Sequence, residues 1–149
     1  MKHERYWDDF NLGDKFITPG MTITETHVVI FAGLVGDLHP NHTNEEVSKK
    51  GPFGGRIVHG TLTFSIATGL GDRSGIYKDS IIAWLGTNNL KALAPVKMGD
   101  TIHVEIVVKE KKETKKPERG IITLEYILLD QKSEKVMTFD FTLMMHKKS

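Results

Sequence analysis

The chain has 149 residues, 39% hydrophobic and 26% charged, with 20 Lys plus Arg against 19 Asp plus Glu and no Cys. A chain of this length buries roughly two thirds of its unfolded surface, enough for one core, so a single unit over residues 1–149 is expected. The absence of cysteine excludes disulfides, thiolate zinc sites, iron–sulfur centres and a cysteine nucleophile, and a net charge of +1 supplies no field to attract nucleic acid.

The opening MKHERYWDDF lacks the apolar stretch of an export signal. The longest apolar run, Val28 to Gly36, falls short of the ~20 residues of a membrane-spanning helix. A cytoplasmic protein without a membrane span is expected. Turn signals at Asn11 to Asp14 and at Pro19-Gly20 precede a short strand, in which Met21 and Ile23 alternate with Thr22 and Thr24. Thr24 then caps a helix with Glu25 in its first turn. Val28, Phe31, Leu34 and Val35 recur at helical spacing, and Gly36 ends it.

Pro40 biases His39 away from helical angles, so Asp37 to Thr43 reads as an irregular connection, followed by a short helix from Asn44 to Lys49. After the turn GPFGG, helical spacing resumes from Thr61 to Leu70 through Leu62, Ile66 and Leu70. This segment is rich in small residues and uncharged before Asp72, which predicts a helix buried on most sides. From Ile81 the period changes to two. Ile102, Val104, Ile106 and Val108 alternate with polar residues, as do Met137, Phe139, Phe141 and Leu143, and Ile121 to Leu129 is a further β-rich run. The order is that of an α+β fold, one helix against an antiparallel sheet of about four long strands.

Two constellations could carry chemistry. Asp37 and His42 stand five residues apart on the proline-bent connection and could converge on one water as an acid–base pair. By spacing alone, Asp37 could equally cap a turn and His42 be a surface or satisfied core histidine. His59-Gly60 opens the uncharged helix, where a free amide beside a residue without a side chain could stabilise a developing oxyanion. The plainer alternative is a glycine for tight packing after a capping or core histidine. Asp37, His39, His42 and His59 are metal-ligand types, but no helical H-x-x-x-H pair is present, so no metal is expected. Lys109 to Arg119 holds six cations and three acids and reads as a solvated hairpin tip or a docking point for phosphates.

The stretches FAGLVGDLHPNH and FGGRIVHGTL, together with WDDFNLGDKF and APVKMGDTI, resemble the MaoC-like dehydratases and R-specific enoyl-CoA hydratases over most of the chain. The resemblance implies a hot-dog fold, in which a curved antiparallel sheet wraps a long central helix. It also implies a homodimer and an acyl-CoA thioester substrate, with coenzyme A part of the substrate and no separate cofactor. By position, Asp37 and His42 would be the catalytic pair, the Gly60 amide would bind the thioester oxygen beside His59, and Thr68 would stand where some of these hydratases carry a serine. Two residues depart from the pattern: His39 replaces the usual Asn, and Asn44 stands where an acidic residue is common. A hot-dog thioesterase is a rival reading, although Thr61 to Gly71 offers no carboxylate. A non-catalytic acyl-CoA-binding or regulatory module is another, although it has no need for both Asp37 and His42.

Overall fold

The computed structural model describes residues 5–149, apart from the side chain of Lys78; the first four residues of the opening segment lie outside this range. After a single 3-10 turn at Trp7–Asp9, the chain forms β1 (Lys15–Ile17), β2 (Met21–Thr22), α1 (Glu25–Val35), α2 (Pro40–Thr43), α3 (Glu45–Ser48) and α4 (Gly60–Arg73). Four long strands follow: β3 (Ile81–Ala92), β4 (Thr101–Glu113), β5 (Arg119–Leu129) and β6 (Lys135–His146). The six strands form one curved antiparallel sheet in the order β1-β4-β5-β6-β3, with β2 also on β4.

Strict alternation decides which face of the sheet is core. Ile102, Val104 and Ile106 on β4, Ile122, Leu124 and Leu128 on β5, and Phe139, Leu143 and Met145 on β6 are all at most 1% exposed. A strand side chain of this size contributes about 1.5–3 kcal/mol when buried. α4 packs on that face through Leu62, Ala67 and Leu70, with Phe64 edge-on to Phe139 at 4.9 Å. Close approach is possible because Gly71 lies against the Tyr126 ring, where a Cβ would run into the hydroxyl. That hydroxyl is hydrogen-bonded to Tyr77, and burial pushes both phenols above their ordinary range.

Three expectations need correction. Pro40–Thr43 is a helical turn, because proline at the first helical position loses no bond and the His39 ring caps the turn by accepting the Asn41 amide at 3.2 Å. β1 was not expected; it pairs three residues with Val107, Ile106 and Glu105, too few to show a period in sequence. α4 is longer than expected and only half covered: Thr61, Ser65 and Gly69 form an exposed stripe. An uncharged face therefore remains open in the single chain. Among the described residues the outer strand β3 is paired on one edge only, with β6, and it exposes Trp84, Leu85 and Leu90.

Candidate active site

α1 ends where Gly36 takes φ +79° and returns its amide to the Ala32 carbonyl at 2.9 Å, a left-handed cap that glycine adopts without strain. The reversal turns the chain into Asp37, whose Oδ1 accepts the His39 amide at 3.3 Å. The Thr43 hydroxyl donates back to the carbonyls of Leu38 and His39, and Asn44 Oδ1 caps α3 by accepting the Val47 amide. Both departures from the family pattern thus make ordinary local bonds: His39 caps α2, and Asn44 caps α3.

The irregular segment of residues 56–59 closes the site from the other side. Ile57 donates its amide to the Asn41 carbonyl at 2.9 Å, and its own carbonyl lies 2.8 Å from His42 Nδ1. A carbonyl only accepts, so Nδ1 carries the hydrogen and, in the neutral ring, Nε2 keeps its lone pair. Nε2 of His42 lies 4.0 Å from Asp37 Oδ2. That gap is too long for a direct hydrogen bond, but one oxygen can sit ~2.8 Å from both atoms. The His42 side chain is 13% exposed and that of Asp37 46%, so the pair stands at the edge of the protein interior with solvent at the carboxylate.

His59 is 1% exposed and donates Nε2–H to the Asp37 carbonyl at 3.0 Å. Its ring stacks on that of His42 at 3.8 Å and 25°. Gly60 follows as the first residue of α4, where the amide has no intrahelical carbonyl and the helix dipole is positive. A Cβ at Gly60 would meet nothing within 4 Å, so the space beside its Cα is open. Two apolar hollows share Gly60, Ala92 and Met137: one of about 330 Å³, also reaching Ile57, Val58 and Val96, and one of about 300 Å³, bounded by Phe64 and Leu90. Asp37, His42 and His59 are gathered at one place with Gly60 next to His59 in the chain, and of the four only Gly60 lines the hollows.

Thr68 lies elsewhere, eight residues or ~12 Å along α4 from Gly60. Its hydroxyl is turned back to the Ser65 carbonyl at 2.8 Å, and it borders neither hollow.

Among the described residues, Asp37, His42 and His59 offer three ligand atoms within 4.8 Å of one another. Each imidazole already spends one nitrogen on a carbonyl, which leaves one nitrogen on each ring and the Asp37 carboxylate.

The basic run Lys109 to Arg119 is mostly strand; only residues 114–118 form the turn between β4 and β5. Lys109 is bound to Asp140, Lys112 to Glu110, and Lys111 sits over the Trp7 ring. The turn lies beside His146, nine residues or ~30 Å along β6 from Met137 at the hollows, too far to serve this chain's Gly60 pocket.

Spacing gave no sign of one element of the site. Arg56 forks onto both carboxylate oxygens of Glu25, at 2.6 and 3.1 Å, and donates Nε–H to Glu45 at 3.0 Å, joining α1, α3 and the segment entering α4. Sequence separations of 31 and 11 residues leave no periodic trace. Arg56 holds both carboxyls below their ordinary range, and they raise its own value.

Comparison with known proteins places the chain in a family. The model of the MaoC like domain matches residues 9–128. Protein MaoC of Klebsiella aerogenes is 38% identical over 107 residues, covering 72% of this chain; the chain spans only 31% of that relative's length. The (R)-specific enoyl-CoA hydratase of Rhodospirillum rubrum is 33% identical over 108 residues, 69% of each protein. Among solved structures, a monoamine oxidase regulatory protein from Archaeoglobus superposes with a TM-score of 0.91 at 33% identity over 98% of this chain and 97% of its own. A double hotdog-fold protein of Mycobacterium tuberculosis superposes at 0.85 and 20% identity, over 97% of this chain and 45% of its own, a likeness of fold alone. The fold is the hot-dog, and the chain belongs to the MaoC-like dehydratase family.

Proposed function

We propose that the protein is a hydro-lyase that reversibly adds water to a 2-enoyl-CoA, giving the (R)-3-hydroxyacyl-CoA. The observation that carries the reading is the 4.0 Å gap between Asp37 Oδ2 and the lone-pair nitrogen of His42, beside an open helix N-terminus at Gly60. A water in that gap donates one hydrogen bond to the carboxylate and one to Nε2. As its oxygen bonds to the β-carbon, its proton passes to the pair and the π electrons move to the thioester oxygen. The Gly60 amide and the α4 dipole stabilise that enolate oxygen. Collapse of the enolate takes the proton back at the α-carbon, so one H and one OH are added and the pair returns to its starting state. The scheme uses no cofactor. The R. rubrum relative named an (R)-specific enoyl-CoA hydratase supports both the reaction class and the stereochemistry.

The reading includes a homodimer built across β3. The free edge of β3, the exposed Trp84, Leu85 and Leu90, and the open stripe of α4 support it.

A second reading, a non-catalytic regulatory module, has the name of the Archaeoglobus neighbour in its favour. It leaves unexplained why Asp37 and His42 are aimed at a shared gap. Hydrolysis of the thioester is less suited to the site, because the first acid on α4, Asp72, lies twelve residues or ~18 Å from Gly60. The test is incubation with crotonyl-CoA, following the conjugated thioester absorbance and free thiol together. Hydration removes the absorbance and releases no thiol. Hydrolysis releases thiol, and a binding module does neither.

A further inference from the structure

We propose that His59 is the positioning residue of the site, the group that holds Asp37 and His42 in register; the inference rests on the hydratase reading for its kinetics but not for its geometry. His59 occupies the N-cap position of α4, yet its side chain makes no capping bond. The usual reason for a polar residue there is absent. Its Nε2–H reaches back 22 residues to the Asp37 carbonyl at 3.0 Å, and its ring face lies on His42 at 3.8 Å. The edge of Phe31, on α1, packs against the ring at 5.1 Å and 66°. One side chain at 1% exposure thus touches both members of the pair and the helix that delivers Asp37.

The two contacts act on different coordinates. The bond to the carbonyl sets the height of Asp37 beyond the Gly36 reversal. The stacked ring restricts the tilt of His42, whose Nδ1 is bound to the Ile57 carbonyl and whose ring also meets the His39 ring at 6.3 Å. His59 Nδ1 is buried without a partner among the described residues, so no further polar contact ties the ring to a different task. Because Gly60 follows directly, the same residue also places the amide proposed to hold the enolate.

Three variants separate the contacts. His59→Ala loses both, His59→Gln keeps a donor without a ring, and His59→Phe keeps a ring without a donor. With crotonyl-CoA, His59→Ala should lose about 10- to 100-fold in kcat, the scale of a misplaced catalytic group, with KM within about 3-fold. Gln and Phe should each recover part of that loss. In an Asp37→Asn background, His59→Ala should cost less than about 3-fold more, because the residue acts through the Asp37–His42 pair, which that variant has already broken. Wild-type kcat in all three variants, or full additivity with Asp37→Asn, would overturn the proposal.

The 15N and 1H signals of the His42 ring supply a readout independent of turnover. They should move in His59→Phe and His59→Gln while the methyl signals of Ile122 and Leu143 stay in place, which also reports folding. Unmoved His42 signals overturn the positioning role even if the enzyme is active. An inactive wild type with moved signals overturns the hydratase reading and leaves the positioning role supported.

Discussion

Arg56 grips Glu25 through two parallel hydrogen bonds of 2.6 and 3.1 Å, and the residue after it carries the carbonyl that orients His42. The ion pair at the rim thus acts on the site through one peptide unit. Arg56→Lys keeps the charge and loses the planar fork, so kcat on an enoyl-CoA should fall about 3- to 10-fold with little change in KM. Arg56→Ala should fall further.

The same clamp has a pH signature. The carboxyls of Glu25 and Glu45 are held below their ordinary value, so protonating them is harder in the folded chain than in the unfolded one. Their stabilising contribution is full above the unfolded carboxylate value of 4.5 and disappears as pH falls through the lower folded values. Wild type should therefore be the more stable protein at pH 7, and its urea midpoint should draw toward that of Arg56→Ala as the pH falls below 4.5. A gap that widens on acidification would contradict the assignment.

Gly60 allows the oxyanion role to be tested without disturbing the fold. It is the first residue of α4, and His59 before it has φ −56° and ψ 133°, the extended angles that proline requires of its predecessor. Gly60→Pro removes the amide donor at a position where proline is tolerated. kcat should fall about 10²- to 10³-fold while the melting temperature stays within a few degrees. Gly60→Ala, which keeps the donor and meets nothing within 4 Å, is the control for added bulk.

In the core, Gly71 and Tyr126 are coupled. Gly71→Ala should cost about 1–3 kcal/mol, because the new methyl meets the tyrosine ring. Tyr126→Phe should cost a comparable ~1–3 kcal/mol by leaving the buried Tyr77 hydroxyl without its partner. Removing that hydroxyl also relieves the collision, so the double variant should be less destabilised than the sum of the two, as read from urea midpoints.

How far the sequence revealed these features follows from the range of the interactions. α1 was legible because its cap, spacing and terminal Gly36 are all local, and β4 to β6 because a period of two survives over seven or more residues. The Asp37, His42 and Gly60 constellation was legible through its motif, not through geometry that spacing could supply. The helical turn at Pro40 was hidden because it depends on the His39 ring capping its own amides. The Arg56 clamp and the Tyr77–Tyr126 pair were hidden because they join distant segments. The exposed stripe of α4 was misjudged because uncharged residues describe a helix covered by something, and within one chain only half of it is covered.

The homodimer part of the account predicts a mass of twice 16.8 kDa in solution by light scattering. Trp84→Lys with Leu90→Asp on the β3 edge should shift it toward the single-chain mass. A monomeric wild type would contradict it.

The central claim is that Asp37 and His42 together activate one water. The direct measurement is the steady-state rate of crotonyl-CoA hydration by wild type, Asp37→Asn, His42→Ala and the double variant. Each single variant should lose about 10²- to 10⁴-fold in kcat, and the double variant little more than the worse single, as groups sharing one water do. Single variants that turn over at the wild-type rate would contradict it.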